Sequence, residues 1–314
     1  MQGEQEDAIA CGTMCTMPDE FDFLEWIRSQ HQAGAHHRVL LGPGDDLAVL
    51  KWTAADLLIV GVDQVLDGVH FESTKHPPRL IGQKVMNRNL SDCAAMACLP
   101  TAAVVSAALP VGCDVDYAKE LHLGLRDAAG LFDCEIVGGD TASWAGKLAL
   151  SVTILGRSAG ITPVRRSGAR AGDHLFVTGA LGGSLLGRHM TFTPRVALAR
   201  ELAIKHSISA MIDISDGLSR DLRHICTQSG VGAVIDATSV PIHDDAIAMS
   251  QSDGRSPLDH ALNDGEDHEL LFTAATDAII GAHRLGTIVS ERNIWLHHGD
   301  RREVLSPRGW EHRL

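Results

Sequence analysis

Apolar runs that stop on aspartate recur along this chain, and that pattern constrains its fold more than any other feature. Val39-Leu40-Leu41 leads into Gly42-Pro43-Gly44-Asp45-Asp46, and Leu57-Leu58-Ile59-Val60-Gly61-Val62 into Asp63. Glu135-Ile136-Val137 leads into Gly138-Gly139-Asp140-Thr141, and Ala210-Met211-Ile212 into Asp213-Ile214-Ser215-Asp216-Gly217. A fifth cluster, Asn89-Leu90-Ser91-Asp92, falls within a helical stretch. Adjacent acids in a glycine-proline turn are ordinarily solvated turn formers. Their repetition where strands stop, or on one helix face, predicts a shared cation site.

The segments between these clusters alternate strand and helix. Phe21–Gln30 reads as an amphipathic helix, Val39–Leu41 and Leu47–Lys51 as strands around the first turn, and Leu57–Val62 as a buried strand ending at Asp63. Pro77-Pro78 opens a helix over Arg79–Ala97. On it Lys84, Arg88 and Asp92 share a face at spacings of four. Such a stripe is an exposed ion-pair ladder worth about 0.2–0.5 kcal/mol per pair, unless the helix is buried. Here Val85, Met86, Leu90, Ala94, Ala95 and Met96 surround the stripe and turn it toward a site.

Strands are predicted at Ala102–Leu109, at Glu135–Val137 stopping at Gly138, and at Leu148–Leu155, with a helix over Asp116–Phe132. The charged, small-residue stretch Arg165–Asp173 marks a change of domain. Beyond it lie strand His174–Val177, helix Arg195–His206, strand Ala210–Ile212, helix Leu218–Gln228 and strand Glu269–Phe272. The glycine-rich turn Thr178–Ser184 either cradles a phosphate at a helix start or lets helix and sheet pack closely. The fold class is mixed α/β (α+β) in two αβ domains: a loose tail over 1–18, an N-terminal domain over 19–160 and a C-terminal domain over 161–314.

A net charge of −13 argues against a broad nucleic-acid or anionic-membrane surface. It leaves room for a phosphorylated substrate, because bound cations reverse the local sign. No apolar run approaches the length of a membrane span, and the first 18 residues lack the basic start and apolar core of a signal peptide. Seven scattered cysteines indicate reduced thiols and a cytoplasmic protein, and Cys11 and Cys15 lack the second pair of ligands a zinc site needs. Walker, dinucleotide and His-Glu-x-x-His motifs are absent.

If Asp46, Asp63, Asp92, Asp140 and Asp213 converge, repulsion must be relieved, since two carboxylates about 4 Å apart repel by about 4 kcal/mol at an effective dielectric near 20. An all-oxygen donor set selects Mg²⁺ or Mn²⁺, which usually takes phosphate oxygens and water in its remaining positions. An acidic chain thus reaches a triphosphate through metal, helped by a few cations, here Arg166, Lys84 and Arg88.

The ordered set of motifs resembles the thiamine-monophosphate kinase family, within the aminoimidazole-ribonucleotide-synthetase-like superfamily, from about Phe21 to Trp310. It comprises Gly42–Asp46, Asp63 with Gly68-Val69-His70-Phe71, Asn89–Met96, Gly138–Thr141, Arg166-Ser167-Gly168, Ile212–Leu218, Gly265-Glu266-Asp267 and Gly309-Trp310. The resemblance implies transfer of the γ-phosphoryl group of ATP to thiamine monophosphate, giving thiamine diphosphate and ADP. It implies several Mg²⁺ ions on Asp46, Asp63, Asp92, Asp140, Asp213 and Asp216. Gly139, Asp140, Arg166 and Ser215 would contact ATP, and His70, Glu266 and Trp310 the thiamine phosphate. No residue is expected to act as nucleophile or base: the acceptor oxygen is already anionic, so metal ions and Arg166 align the phosphates for direct in-line transfer. The implied fold pairs the N-terminal halves in a homodimer.

The chain departs from the family pattern in places. Gly61 and Val62 stand where hydroxyl residues often precede Asp63, so a metal position there loses side-chain ligands. Asp264 and His268 replace the glycine and aromatic that usually flank Gly265-Glu266-Asp267, which changes the charge of the substrate pocket. Related synthetases fit less well. The Cys11–Cys15 segment lacks the lysine of a selenophosphate synthetase, and the chain ends His312-Arg313-Leu314 rather than in the reactive cysteine of the hydrogenase maturation relative. The stretch Gly61-Val62-Asp63-Gln64-Val65 differs from the ribonucleotide synthetase pattern. A non-catalytic acidic metal-binding scaffold is the alternative from another class.

Overall fold

A computed structural model describes residues 38–42 and 44–311. The tail over 1–18, the helix expected over 21–30, Cys11, Cys15 and Pro43 lie outside the described residues. Two sheets form the framework. The first has six strands in the order β1 (Val39–Leu41), β2 (Ala48–Lys51), β3 (Leu57–Leu66), β6 (Ala149–Arg157), β4 (Leu99–Pro110) and β5 (Glu135–Trp144). Only the β4–β5 pairing in it is parallel. The second has seven: β13 (Arg301–Val304), β12 (Ile294–His298), β9 (Gly232–Asp236), β11 (His283–Val289), β7 (His174–Val177), β10 (Leu270–Ala274) and β8 (Ile208–Asp213).

Helix α1 (Pro78–Ala95) is the pivot. It packs on β3, β4 and β6 of the first sheet, on β8 of the second, and on helices α2 (Val115–Gly130) and α3 (Val196–Lys205). Proline at its first turn and the run of alanine, methionine and leucine favour the helix. Its last turn joins α3 and the second sheet in a core of Ala94, Ala97, Val196, Met211, Leu270, Phe176 and Phe272, the two phenylalanines stacked at 5.4 Å. Burying such a ring stabilises the fold by about 1.5–3 kcal/mol.

Helices α1 and α2 meet backbone to backbone at two glycines. A Cβ at Gly82 would stand 2.1 Å from the Leu121 carbonyl oxygen, and one at Gly124 1.9 Å from that of Arg79. Alanine for glycine inside a helix ordinarily stabilises it by about 1 kcal/mol. At Gly124 the sign inverts: Gly124→Ala is expected to destabilise the protein by about 1–3 kcal/mol through overpacking. Urea unfolding of the natural chain and the variant measures this, and an unchanged or raised midpoint would contradict the close crossing.

Several sequence expectations need correction. Strand β3 does not stop before Asp63 but continues to Leu66, its register with β6 running unbroken through Asp63↔Val152. Likewise β5 does not stop at Gly138: it runs through Asp140 to Trp144, because backbone pairing with β4 continues through Ser106↔Asp140 and the strand lies at the sheet edge, where polar residues meet solvent. The turn after β7 enters two short 3-10 turns, Ser184–Leu186 and Arg188–Met190, rather than an α-helix. Its amides are already used, Gly182 N–H donating to Asp267 and Gly183 N–H to Asp264, both at 3.0 Å. Close packing, not phosphate binding, explains those glycines, since a Cβ on either would strike neighbouring backbone.

Candidate active site

Three of the expected acids meet. Oxygens of Asp46, Asp92 and Asp213 lie within 4.8 Å of one another, a spacing that could hold a metal ion. Asp46 comes from the β1–β2 turn, Asp92 from the α1 stripe and Asp213 from the end of β8, so the cluster exists only because α1 touches both sheets. The turn is tied down at several points. Leu47 N–H donates to the Met96 sulfur at 3.2 Å, Gln228 Nε2 donates to the Gly44 carbonyl at 2.6 Å, and Asp45 accepts from the backbone N–H of Asp46 and of Arg166. Asp45 therefore completes the turn.

The Arg166 guanidinium forks onto Asp46, Nε to Oδ2 at 3.1 Å and Nη2 to Oδ1 at 2.9 Å. Burial nevertheless pushes the Asp46 carboxyl up to about 7, with Asp213 and Asp45 adding to the rise. Burial, with Asp213, Asp63 and Asp46 nearby, lifts Asp92 well above the carboxylate range. Asp213 goes the other way. Burial opposes its ionisation, but hydrogen bonds with His268 Nδ1 (3.2 Å) and from Ser91 Oγ (2.6 Å) hold it below its ordinary value.

Asp63 stands beside this cluster rather than in it, its Oδ2 accepting from Arg88 Nε at 2.6 Å. Arg88 Nη1 also donates to Glu266 Oε1 at 2.9 Å, and the fully buried Lys84 pairs with Glu266 and donates to the His70 carbonyl at 2.7 Å. The α1 stripe thus ties together Asp63, His70 and Glu266. Burial works against ionisation of Glu266, yet Lys84 and Arg88 hold its pKa down to about 2. His70 Nδ1 accepts the Leu66 N–H at 3.0 Å, which leaves the ring proton on Nε2. Burial, then the Arg88 charge, pushes the His70 pKa down to about 4, so the ring is neutral at neutral pH.

Asp140 is not brought to the acidic cluster. Register carries Asp63↔Val152↔Val105↔Gly139 across the first sheet, putting the Gly139–Asp140 backbone three strands from Asp63, or about 14 Å at the usual strand spacing. Gly138 to Thr141 instead line a cavity of about 480 Å³, walled by Val105, Ala107 and Leu150 of the sheet and Leu121, His122 and Leu125 of α2. Gly139 has to be glycine there, as a Cβ would lie 2.1 Å from the Val105 carbonyl oxygen.

Asp216 joins a second group, with Asp221 and His224. The buried Asp221 Oδ2 accepts the N–H of Asp216 and of Gly217, each at 3.1 Å, and so braces the Asp213–Gly217 turn. That turn also gathers the remaining candidates. The Ser215 carbonyl accepts from Glu266 N–H at 2.7 Å and the Asp216 carbonyl from Trp310 N–H at 3.0 Å, while the Trp310 side chain is half exposed.

Of the two departures around Glu266, Asp264 is turned away into a network with His260, Arg255 and Gly183, whereas His268 reaches Asp213 and stacks on Phe192 at 3.9 Å. Sequence reasoning missed the roles of His268 and Asp221. The spacing of Asp221 and His224 by three on α4 (Leu218–Ser229) was the available signal for the second group.

Family models described as AIR synthase related protein, N-terminal domain, and AIR synthase related protein, C-terminal domain, match residues 44–158 and 154–293. A thiamine-monophosphate kinase of Rhodopirellula baltica is 38% identical over 310 residues, covering 93% of this chain and 97% of that protein. One of Aquifex aeolicus is 30% identical over 292 residues, covering 86% and 92%. The solved structure of AaThiL complexed with AMPPCP and TMP matches with a TM-score of 0.81 at 28% sequence identity, covering 95% of this chain and 99% of that one.

Proposed function

This chain belongs to the thiamine-monophosphate kinase family, and from that premise we propose that it phosphorylates thiamine monophosphate with ATP by direct, metal-assisted in-line transfer. The products are thiamine diphosphate and ADP. The carrying observation is the convergence of Asp46, Asp92 and Asp213 beside the His70–Glu266 pair. Three acids with one guanidinium, that of Arg166, hydrogen-bonded to them among the described residues suit a divalent cation, and their oxygen-only donors suit Mg²⁺. When bound there, Mg²⁺ offsets the repulsion between donor and acceptor phosphates.

The protein's own residues do the positioning. The cavity at Gly138–Thr141 has the size and apolar walls to take the nucleotide base. Arg166 and Ser215 lie toward the phosphates, with Asp140 and Asp216 as further metal or ATP contacts. His70, neutral, offers its Nε2–H as a hydrogen-bond donor to the acceptor phosphate and keeps its proton. Glu266, kept ionised by Lys84 and Arg88, faces the cationic heterocycle, and the Trp310 ring offers it a flat surface. The acceptor oxygen is anionic already, so no general base is assigned.

The same proposal divides the chain at 160/161, with the strands of the two sheets drawn from either side of residues 158–173. It places the protein in the cytoplasm, without nucleic acid or membrane as partner; no helix among the described residues is long and apolar enough to cross a membrane. Pairing into a homodimer through the N-terminal half is supported by the exposed Val62, Val137 and Trp144 on β3 and β5. The deciding assay is Mg²⁺-dependent ADP release with thiamine monophosphate against free thiamine. Turnover only with the phosphorylated acceptor is expected, and its absence across pH and Mg²⁺ would defeat the proposal.

A pH signature follows from the raised Asp46 and Asp92. Between the ordinary value of 3.8 and about 7, the folded metal-free chain holds protons that the unfolded chain has released. Their contribution to stability therefore falls as pH rises through that window. Mg²⁺ replaces those protons, so the rise in thermal midpoint that it produces is expected to be larger at about pH 8 than at about pH 5.5. Comparing scans with and without Mg²⁺ at each pH cancels the opposite contribution of His70, which grows from about 4 to 6.5. A Mg²⁺ effect independent of pH would remove the cluster as the ion's site.

A further inference from the structure

We propose that the guanidinium of Arg88 is a permanent, protein-borne cation at Asp63, so that Asp63 takes no divalent ion and metal is left to the site's other acids, Asp46, Asp92 and Asp213 foremost. This rests on the metal-assisted kinase function proposed above and changes which charges in it are supplied by ions.

The two neighbouring groups of charges are balanced differently. Lys84, Arg88, Asp63 and Glu266 form a closed set, two cations on two carboxylates, joined at 2.6 Å between Arg88 and Asp63 and 2.9 Å between Arg88 and Glu266. Lys84 is wholly buried, and the side chains of Arg88 and Glu266 are each 14% exposed. A divalent ion on Asp63 would compete for the carboxylate that Arg88 holds and leave Lys84 and Arg88 sharing Glu266 beside a doubly charged ion, with little water to screen them. The adjacent cluster is the reverse: among the described residues, Arg166 on Asp46 is the guanidinium that hydrogen-bonds its three carboxylates, His268 holds Asp213, and Arg88 acts on Asp92 without a hydrogen bond, so an ion there relieves repulsion.

The local strand offers nothing to tip Asp63 back toward metal. Neither residue before it has a side-chain oxygen, and a Cβ at Gly61 would stand 2.2 Å from Leu47 Cδ2, inside the first core. Val62 points to solvent, 63% exposed. Arg88 cannot titrate away at any working pH. It stands four residues from Asp92 on the α1 face that runs from the acidic cluster to the His70–Glu266 pair. The acceptor side is thereby balanced in charge by the protein itself before any ion arrives.

Counting bound Mn²⁺ on the full chain by electron paramagnetic resonance, with the non-hydrolysable analogue AMPPCP present, tests this without turnover. Asp63→Asn, which preserves shape and an acceptor for Arg88, is expected to bind as many Mn²⁺ ions as the natural chain. Arg88→Met is expected to bind one more, and Arg88→Met with Asp63→Asn to lose that extra ion. Release of an ion by Asp63→Asn alone overturns the proposal, even if the Arg88 variants fail to fold. No gain in a folded Arg88→Met chain, or no Mn²⁺ on the natural chain, also overturns it. Failure of the kinase function itself shows separately, as absent ADP release by a natural chain whose ion count still behaves as expected.

Discussion

Asp92→Asn is expected to lower kcat/KM for thiamine monophosphate by about 10²-fold or more, the scale on which removal of one preorganised electrostatic contact is felt, while making the metal-free protein more stable. The two effects have one cause. Asp92 is held among Asp213, Asp63 and Asp46, and burial and those charges lift its pKa well above the carboxylate range. Without metal, the chain carries either like-charge repulsion or the uptake of a proton, and the neutral amide removes both. With metal, the amide removes a charged ligand from the cluster. A stability gain of about 1 kcal/mol would raise the thermal midpoint by about 2 °C for a chain of this size. Steady-state kinetics and thermal scans in chelator check both halves. Near-natural turnover would take Asp92 out of the site, and a lowered midpoint in chelator would show that the cluster is not under repulsion.

Arg166→Ala is expected to cost about 10²–10³-fold in kcat/KM, together with a raised KM for ATP. The residue lies in the link between the sheets and, among the described residues, makes the cluster's one guanidinium hydrogen-bond contact, the bidentate pair with Asp46. Removing one partner of a buried pair also destabilises by about 3–5 kcal/mol, because the remaining charge is left uncompensated. Saturating Mg²⁺ is expected to return part of that stability but not the alignment of the phosphates. Arg166→Lys should recover stability better than activity, since an ammonium cannot reproduce the planar fork. Unchanged KM for ATP and kcat in a folded Arg166→Ala protein would leave Arg166 as a structural tie alone.

Much of the site was legible in the chain because local periodicity carries it. The α1 stripe of Lys84, Arg88 and Asp92 was readable from spacing, and its burial from the flanking Val85, Met86 and Leu90. Asp46 and Asp213 were readable as acids where strands stop, and Asp92 as an acid on one helix face. The expectation that Asp63 and Asp140 end strands failed for a physical reason. Polarity marks where a strand leaves the core, whereas backbone pairing decides where it ends, and β3 and β5 keep their partners well beyond those acids. The partners themselves were less legible. Arg88 meets Glu266 across 178 positions and His268 meets Asp213 across 55, and no local pattern encodes a contact of that separation.

By itself, the sequence determined the kinds of charge present, the faces on which they lie and the family to which the chain belongs. These depend on residue type and on the short repeats of helix and strand. Which acid shares a cation with which was decided only when α1 packed against both sheets. The balanced group around Asp63 and the acidic group around Asp46 differ in where neighbouring side chains are held, and desolvation makes those small differences decisive. Asp63 thus pairs with Arg88, whereas the Asp92 oxygens stand among those of Asp46 and Asp213.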